Sequence, residues 1–183
     1  MENDRLRLIN ALSDFIDPLP SQYCKIHTRA ALSKPDILSL AASELLNQID
    51  LESIDLVGTQ EVAGIPLVVS LSLLSARTSI YSLNWFSVSQ AIARGANDPS
   101  IAGSVMLGAD VVLVDDTVLT GYSMIKAHLA VTRAGMNVKQ ILVLVDESID
   151  QKGIKNIEKN AKCPVSAILT FDEIVASVQK KKS

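Results

Sequence analysis

The chain is poor in the residues that lock small folds together. Its two cysteines, Cys24 and Cys163, stand near opposite ends of 183 residues. Neither lies in a Cys-x-x-Cys pair or at metal-ligand spacing from His27 or His128, the only histidines. Both read as reduced thiols, so neither a disulfide framework nor a zinc centre is indicated. Long apolar runs are missing as well. The longest charge-free stretches, 62–76 and 78–93, are separated by Arg77 and interrupted by serines; each is shorter than the ~20 apolar residues that span a bilayer. Glu2, Asp4, Arg5 and Arg7 precede a broken apolar pattern unlike a signal peptide. One Trp, three Tyr and three Phe, with a net charge of −3, give no basic and aromatic surface for nucleic acid. With 8 Gly, 6 Pro and 48% hydrophobic residues, disorder and low complexity are excluded. A single cytoplasmic domain over 1–183 is expected, without membrane or nucleic-acid partners, ending in a frayed, solvated Lys180–Ser183 tail.

What is present alternates. Apolar spacing predicts a helix over 3–16, an irregular strand over 22–29, and a helix from a capping-box-like Ser33-Lys34-Pro35-Asp36 through Ile49. A short strand, Ile54–Val57, leads through Gly58 to an apolar helix over 65–74. Thr78–Leu83 reads as a strand, 84–100 as a loop or flap, and Val111–Val114 as a buried strand. A helix over 122–133, a strand over 138–145, a helix over 151–160, a strand over 165–169 and a helix over 171–178 complete the chain. Such alternation predicts an α/β fold, an open, mostly parallel β-sheet flanked by helices. Ligands of these folds collect beyond the carboxyl ends of the strands, which singles out the loops 58–64 and 115–123.

The second of these loops carries the clearest chemistry. Val111-Val112-Leu113-Val114 runs into Asp115 and Asp116, then Thr117, Val118, Leu119, Thr120, Gly121, Tyr122 and Ser123 at the start of a helix. Unpaired amides of a helix N-terminus suit a phosphate, Thr120 and Ser123 add hydroxyls, and Gly121 permits close approach. Two carboxylates are acceptors for sugar hydroxyls or a magnesium shell. Together they describe a ribose 5-phosphate; the bland alternative makes Asp116 an N-cap and the rest a turn. The thirteen residues resemble the ribose-phosphate signature of type I phosphoribosyltransferases. Asp55-Leu56-Val57-Gly58-Thr59-Gln60-Glu61-Val62-Ala63-Gly64-Ile65-Pro66-Leu67 resembles the pyrophosphate loop of the orotate phosphoribosyltransferases among them. Arg29–Pro35, Ile141–Asp146 and Ile168–Ile174 resemble further blocks of that family.

That resemblance implies the family's fold with an N-terminal hood (1–35) and a flexible flap (84–100). It implies a homodimer that binds phosphoribosyl pyrophosphate with Mg2+, or a nucleoside 5-monophosphate. The 5-phosphate would lie on Thr120–Ser123, the ribose near Asp115 and Asp116, and the pyrophosphate on amides from Thr59 to Gly64, with Asp115, Asp116 and Arg94 as catalytic candidates. An active enzyme would transfer phosphoribosyl to a nucleobase.

Departures from the family leave a second reading open. Where its flap carries basic residues, this chain has Val88, Ser89 and Ile92, with Arg94 at the His position. Glu147 stands where an Arg often follows Asp, and Leu119 replaces a hydroxyl residue. From Pro35 to Ile125 only Arg77 and Arg94 are basic, against ten acidic residues. A catalytically inactive paralogue, sensing a ribose phosphate, and a subunit borrowing basic residues from another chain are the alternatives. Trp85 and Phe86 read as packing residues or a base-stacking pair, Arg77 as a helix-end cation or a site residue, and His128 as a helix-interior packing residue. Glu61 is unexpected beside a polyanion.

Overall fold

A computed structural model describes residues 2–17, 25–89 and 100–182. Six strands form one sheet, β1 (Leu56–Gln60), β2 (Asn84–Val88), β3 (Ile101–Gly103), β4 (Asp110–Val118), β5 (Asn137–Asp146) and β6 (Val165–Thr170), in the order β3-β2-β1-β4-β5-β6. All neighbouring pairs are parallel except β2 with β3 at the edge. Among the described residues seven α-helices accompany it: α1 (Glu2–Leu12), α2 (Thr28–Leu32), α3 (Pro35–Leu46), α4 (Ile65–Thr78), α5 (Tyr122–Arg133), α6 (Lys152–Ala161) and α7 (Phe171–Lys182). The fold expected from the alternation is the one found.

Strand alternation divides the core in two. Val112, Val114, Leu142 and Leu144 face a cluster built with α1–α4 and Ile174 of α7. Val111, Leu113, Ile141 and Val143 face the other, built with α5 and α6. Burying each such side chain is worth about 1.5–3 kcal/mol, so a strand buried on both faces reads as a continuous apolar run. One close approach is specific. A Cβ on Gly58 would sit 2.1 Å from the Phe86 ring, so the glycine in β1 makes room for the largest buried side chain of β2.

Several local expectations are corrected. Thr78 ends α4, its Oγ1 donating back to the Leu74 carbonyl, and Ser75 Oγ accepts the Leu83 amide, so 79–83 is an irregular connection. The strand follows at 84–88, inside the segment expected to be flap. Ile80, whose side chain suggested a strand, is 91% exposed. Lys34, not Ser33, precedes α3; Ser33 closes α2 and its hydroxyl donates to Ala30. Of the expected strand over 22–29, the described part is a single bridge of Ile26 to Ile16, with the Asp17 amide on the Lys25 carbonyl and the His27 amide on Phe15, and Thr28 already begins a helix; 22–24 lie outside the described residues. The first helix stops at Leu12 and tightens into a 3-10 turn over Ser13–Phe15. Of the expected frayed tail, Lys180–Lys182 continue α7, and Lys181 Nζ bonds Asp14 at 2.7 Å; Ser183 lies outside the described residues.

Trp85 and Phe86 lie in β2. Trp85 packs, half-buried, on the cluster of α1–α4, and Phe86 is fully buried in the other cluster. Arg77, exposed in the last turn of α4, is a helix-end cation beside the α3–α4 groove. Among the described residues no helix is long and apolar enough to cross a membrane.

Candidate functional site

The chain leaves β1 for β2 on one side through α4, and β4 for β5 on the other through α5. Adjacent strands whose connections diverge open a crevice at their carboxyl ends, and the two loops singled out in the sequence are the ones that diverge here. The β1–β4 register runs from Leu56↔Val111 to Gly58↔Leu113. Continued, it brings Gln60 level with Asp115. From there β4 extends past the end of β1, paired with β5 alone: Asp115↔Val143, Thr117↔Val145, Val118↔Asp146. The edge of β4 that carries the carboxylates is thus left uncovered by β1.

Asp115 and Asp116 belong to the strand itself and are 8% and 6% exposed. Asp115 Oδ1 accepts the Asp116 amide at 3.0 Å, and Asp116 Oδ2 accepts the hydroxyl of Thr28, in α2, at 2.6 Å. Burial, then the adjacent Asp116 charge, pushes the Asp115 carboxyl well above the ordinary aspartate value; Arg29 pulls weakly the other way. Asp116 is not an N-cap, because Gly121 precedes α5.

The turn from β4 into α5 is built to be rigid. Gly121 has φ +79°, and a Cβ there would lie 2.7 Å from the Gly153 carbonyl. A Cβ on Gly153 would in turn lie 2.8 Å from the Leu119 carbonyl, and Asn156 Nδ2 donates to the Thr120 carbonyl at 2.8 Å. Two glycines thus let the turn rest on α6. Thr120, Tyr122 and Ser123 remain exposed around the first turn of α5, with Leu119 62% exposed. Val118 is different: its side chain is buried in the α5–α6 core and its carbonyl accepts the Glu147 amide, so it supports the turn from behind.

Across the crevice, Thr59 is fully buried, with its hydroxyl on the Gln60 carbonyl. The Glu61 amide donates to Val88 at 2.9 Å, which leaves 62–64 as the part of the loop beyond the sheet. A Cβ on Gly64 would lie 1.9 Å from Thr59 Oγ1, so the loop folds back over the strand only with glycine there. The Glu61–Val62 peptide is cis. Ser87 Oγ donates to Glu61 Oε1 at 2.9 Å, which ties that carboxylate to β2. Gln60 is 4% exposed, and its buried Oε1 has no hydrogen-bond partner among the described residues. Among the described residues no group of three His, Cys, Asp or Glu could hold a metal. The donors at hand are oxygens, from Asp115, Asp116 and Gln60. They suit a hard cation carried mainly by a ligand's own oxygens.

The structure adds residues that the sequence reading passed over. A cavity of about 420 Å³ is lined by Lys25, His27, Thr28, Arg29, Asp116 and Thr117 among others. The central segment lacks cations, but the N-terminal segment brings three titratable or basic side chains to the carboxylates. Of these only Arg29 falls in a block singled out by the sequence, Arg29–Pro35; Lys25, His27 and Thr28 precede it. Val88 and Ser89 are not flap residues: Val88 is buried in β2 and the Ser89 amide donates to Ser100. Ile92 and Arg94 lie outside the described residues. His128, half-buried in α5, has an Nδ1 without a partner among the described residues and an imidazole whose basicity burial lowers.

Known proteins of similar sequence are phosphoribosyltransferases. The orotate phosphoribosyltransferase of Methanosphaera stadtmanae is 24% identical over 148 residues, spanning 81% of this chain and 78% of that protein. A hypoxanthine/guanine phosphoribosyltransferase of Methanotorris igneus is 28% identical over 145 residues, 75% of this chain and 77% of its own. Among solved structures, Mycobacterium tuberculosis H37Rv orotate phosphoribosyltransferase in complex with 5-phospho-alpha-D-ribosyl 1-diphosphate superposes with a TM-score of 0.73. It is 22% identical, and the match covers 94% of this chain and 92% of that one. No family profile matches the chain.

Proposed function

We propose that this chain, which has the fold of the type I phosphoribosyltransferases, binds a 5-phosphorylated ribose in the crevice between β1 and β4. The ligand is phosphoribosyl pyrophosphate or a nucleoside 5-monophosphate. The observation that carries the reading is the junction of buried carboxylates with a glycine-buttressed helix N-terminus. The exposed start of α5, Thr120 to Ser123, receives the phosphate through amides and hydroxyls. Asp115 and Asp116 accept from the ribose hydroxyls, Thr28 holding Asp116 in place. The turn 62–64 offers its amides to a pyrophosphate, and the N-terminal segment, with Lys25 and Arg29, serves as the hood. Magnesium arriving with the ligand would be held by Asp115 and Asp116 and would offset phosphate charge. A homodimer is part of this reading, and light scattering on the purified chain measures it.

As an enzyme the protein transfers phosphoribosyl to a nucleobase: the bond from the ribose C1 to pyrophosphate breaks, a base nitrogen bonds C1 and gives up its proton, and the chain contributes positioning with electrostatic stabilisation of the departing pyrophosphate. Glu61 favours the second reading, a ribose-phosphate sensor without turnover, because its carboxylate sits in the pyrophosphate loop. Pyrophosphate release from phosphoribosyl pyrophosphate over a panel of bases separates the two. Base-dependent release supports the enzyme; saturable binding without release supports the sensor; no binding of any ribose 5-phosphate overturns both.

A further inference from the structure

The sheet separates charge as well as packing. α5, α6 and Lys162, which caps α6, carry six basic residues against one acidic residue, Glu158. The remaining chain has 11 basic and 19 acidic residues, so a net of +5 on these two helices stands against −8 elsewhere.

The six basic residues form two stripes. On α5, Lys126, Leu129 and Arg133 are exposed at i, i+3 and i+7, while Met124, Ala127 and Val131 face the core. On α6, Lys152, Lys155, Lys159 and Lys162 are exposed at i, i+3, i+7 and i+10, opposite the buried Ile154, Ile157 and Ala161. Residues at these spacings share one side of a helix. The two helices touch where Gly121 meets Gly153 and Ile157, and both return from the carboxyl ends of parallel strands. The stripes are therefore ridges on neighbouring helices, whose axes pack about 8–10 Å apart.

The ridges are not neutralised from within. Arg5, Arg7, Lys139 and Lys181 each have a carboxylate partner. Lys126, Lys152, Lys159 and Lys162 have none among the described residues, and Lys155 Nζ reaches only the Asp150 carbonyl at 2.9 Å. Like charges three and four residues apart destabilise a helix. Lysines without an acidic residue in the first turn of α6 also oppose its dipole. The arrangement works against the helix that carries it, so stability does not explain it; an acidic partner does.

The form of the partner follows from the same face. The α6 ridge is short, about 15 Å from Lys152 to Lys162, and Leu129, 47% exposed, gives the α5 ridge an apolar contact. Asp146, Glu147, Asp150 and Asp172 line the cavity at the end of α6 that begins with Lys152. A phosphate chain continuing along the ridge would run into them and gain nothing from Leu129, whereas a helix of three or four turns ends in time. We infer that the outer face of α5 and α6 docks an acidic amphipathic helix of a partner protein, its carboxylates on the two ridges and an apolar edge on Leu129. This does not depend on what the crevice binds.

Fluorescence anisotropy on the whole chain tests it with three labelled probes of equal charge. One is a synthetic peptide with Glu at helical i, i+4 and i+7 spacing and Leu beside the stripe; the second has the same residues in scrambled order; the third is a single-stranded oligothymidine. The wild type is expected to bind the striped peptide at least about tenfold more tightly than either of the others at physiological salt. Lys155→Glu combined with Lys159→Glu is expected to abolish that preference, and Leu129→Ser to weaken it about threefold. Lys34→Glu, an exposed position before α3, should leave it unchanged. Equal binding of the striped and scrambled peptides, tighter binding of the oligothymidine, no binding of any probe, or an equal loss in Lys34→Glu overturns the assignment. The wild-type ranking of the probes decides the matter even if a variant does not fold.

Discussion

Thr28 Oγ1 donates to Asp116 Oδ2 at 2.6 Å, joining the N-terminal segment to the end of β4 across 88 positions of sequence. Both residues are buried, so this bond fixes the Asp116 carboxylate and the approach of Lys25 and Arg29 at once.

Thr28→Val keeps the branched shape and removes the donor. Hydrogen bonds to charged groups contribute about 1.5–3 kcal/mol, so a loss of that order is expected in urea unfolding. Thr28→Ser, which retains the hydroxyl, is expected to recover most of it.

Asp115→Asn trades function for stability. The native carboxyl lies above the unfolded value, so in the window between the two values the folded chain holds more protons than the unfolded one. Stability therefore falls as pH rises through that window and recovers as pH is lowered towards the ordinary aspartate value. Asparagine can still accept the Asp116 amide while shedding the buried charge. It is expected to raise stability at pH 7, to flatten the pH dependence of the melting temperature, and to weaken ribose 5-phosphate binding. Thermal melts at several pH values, with a parallel titration, measure all three.

The sheet was legible because strands buried on both faces spell themselves out, as Val111–Val114 and Ile141–Val145 do. Thr78–Leu83 misled because Thr78, Ile80 and Tyr81 satisfy strand preference although all three are exposed, Ile80 at 91%. Tertiary context won over propensity. The loops of the site were legible as motifs, since glycine, hydroxyl and carboxylate residues must sit close together in sequence to line one turn. The contribution of Lys25, His27, Thr28 and Arg29 was not, because nothing local says that a segment before α3 crosses to the end of β4. Nor could charge counting along 35–125 reveal cations supplied from outside it.

Gly121 and Gly108 share φ +79° but not their surroundings. A Cβ on Gly108 meets nothing within 4 Å, whereas one on Gly121 lies 2.7 Å from both the Gly153 carbonyl and Ile157. Gly108→Ala is expected to cost only the left-handed backbone penalty, about 1–2 kcal/mol. Gly121→Ala should cost more in unfolding and also lower ribose 5-phosphate affinity at least about tenfold, since the phosphate turn must leave α6.

Glu61→Gln tests the carboxylate of the pyrophosphate loop. Ser87 can still donate to the amide oxygen, so the loop keeps its anchor. Removal of a like charge worth about 1 kcal/mol is expected to tighten phosphoribosyl pyrophosphate roughly fivefold. Ribose 5-phosphate, which lacks the pyrophosphate, should change much less. Calorimetry with the two ligands checks the contrast.

The most direct test is calorimetric titration of ribose 5-phosphate into the wild-type chain, Asp116→Asn and Thr120→Ala. The wild type should bind one ligand per chain. Both variants should fold as the wild type does and bind at least about tenfold more weakly, because each loses a group assigned to the sugar or the phosphate. Undiminished affinity in both variants, or no binding by the wild type, would contradict the placement of the ligand at the β4–α5 junction.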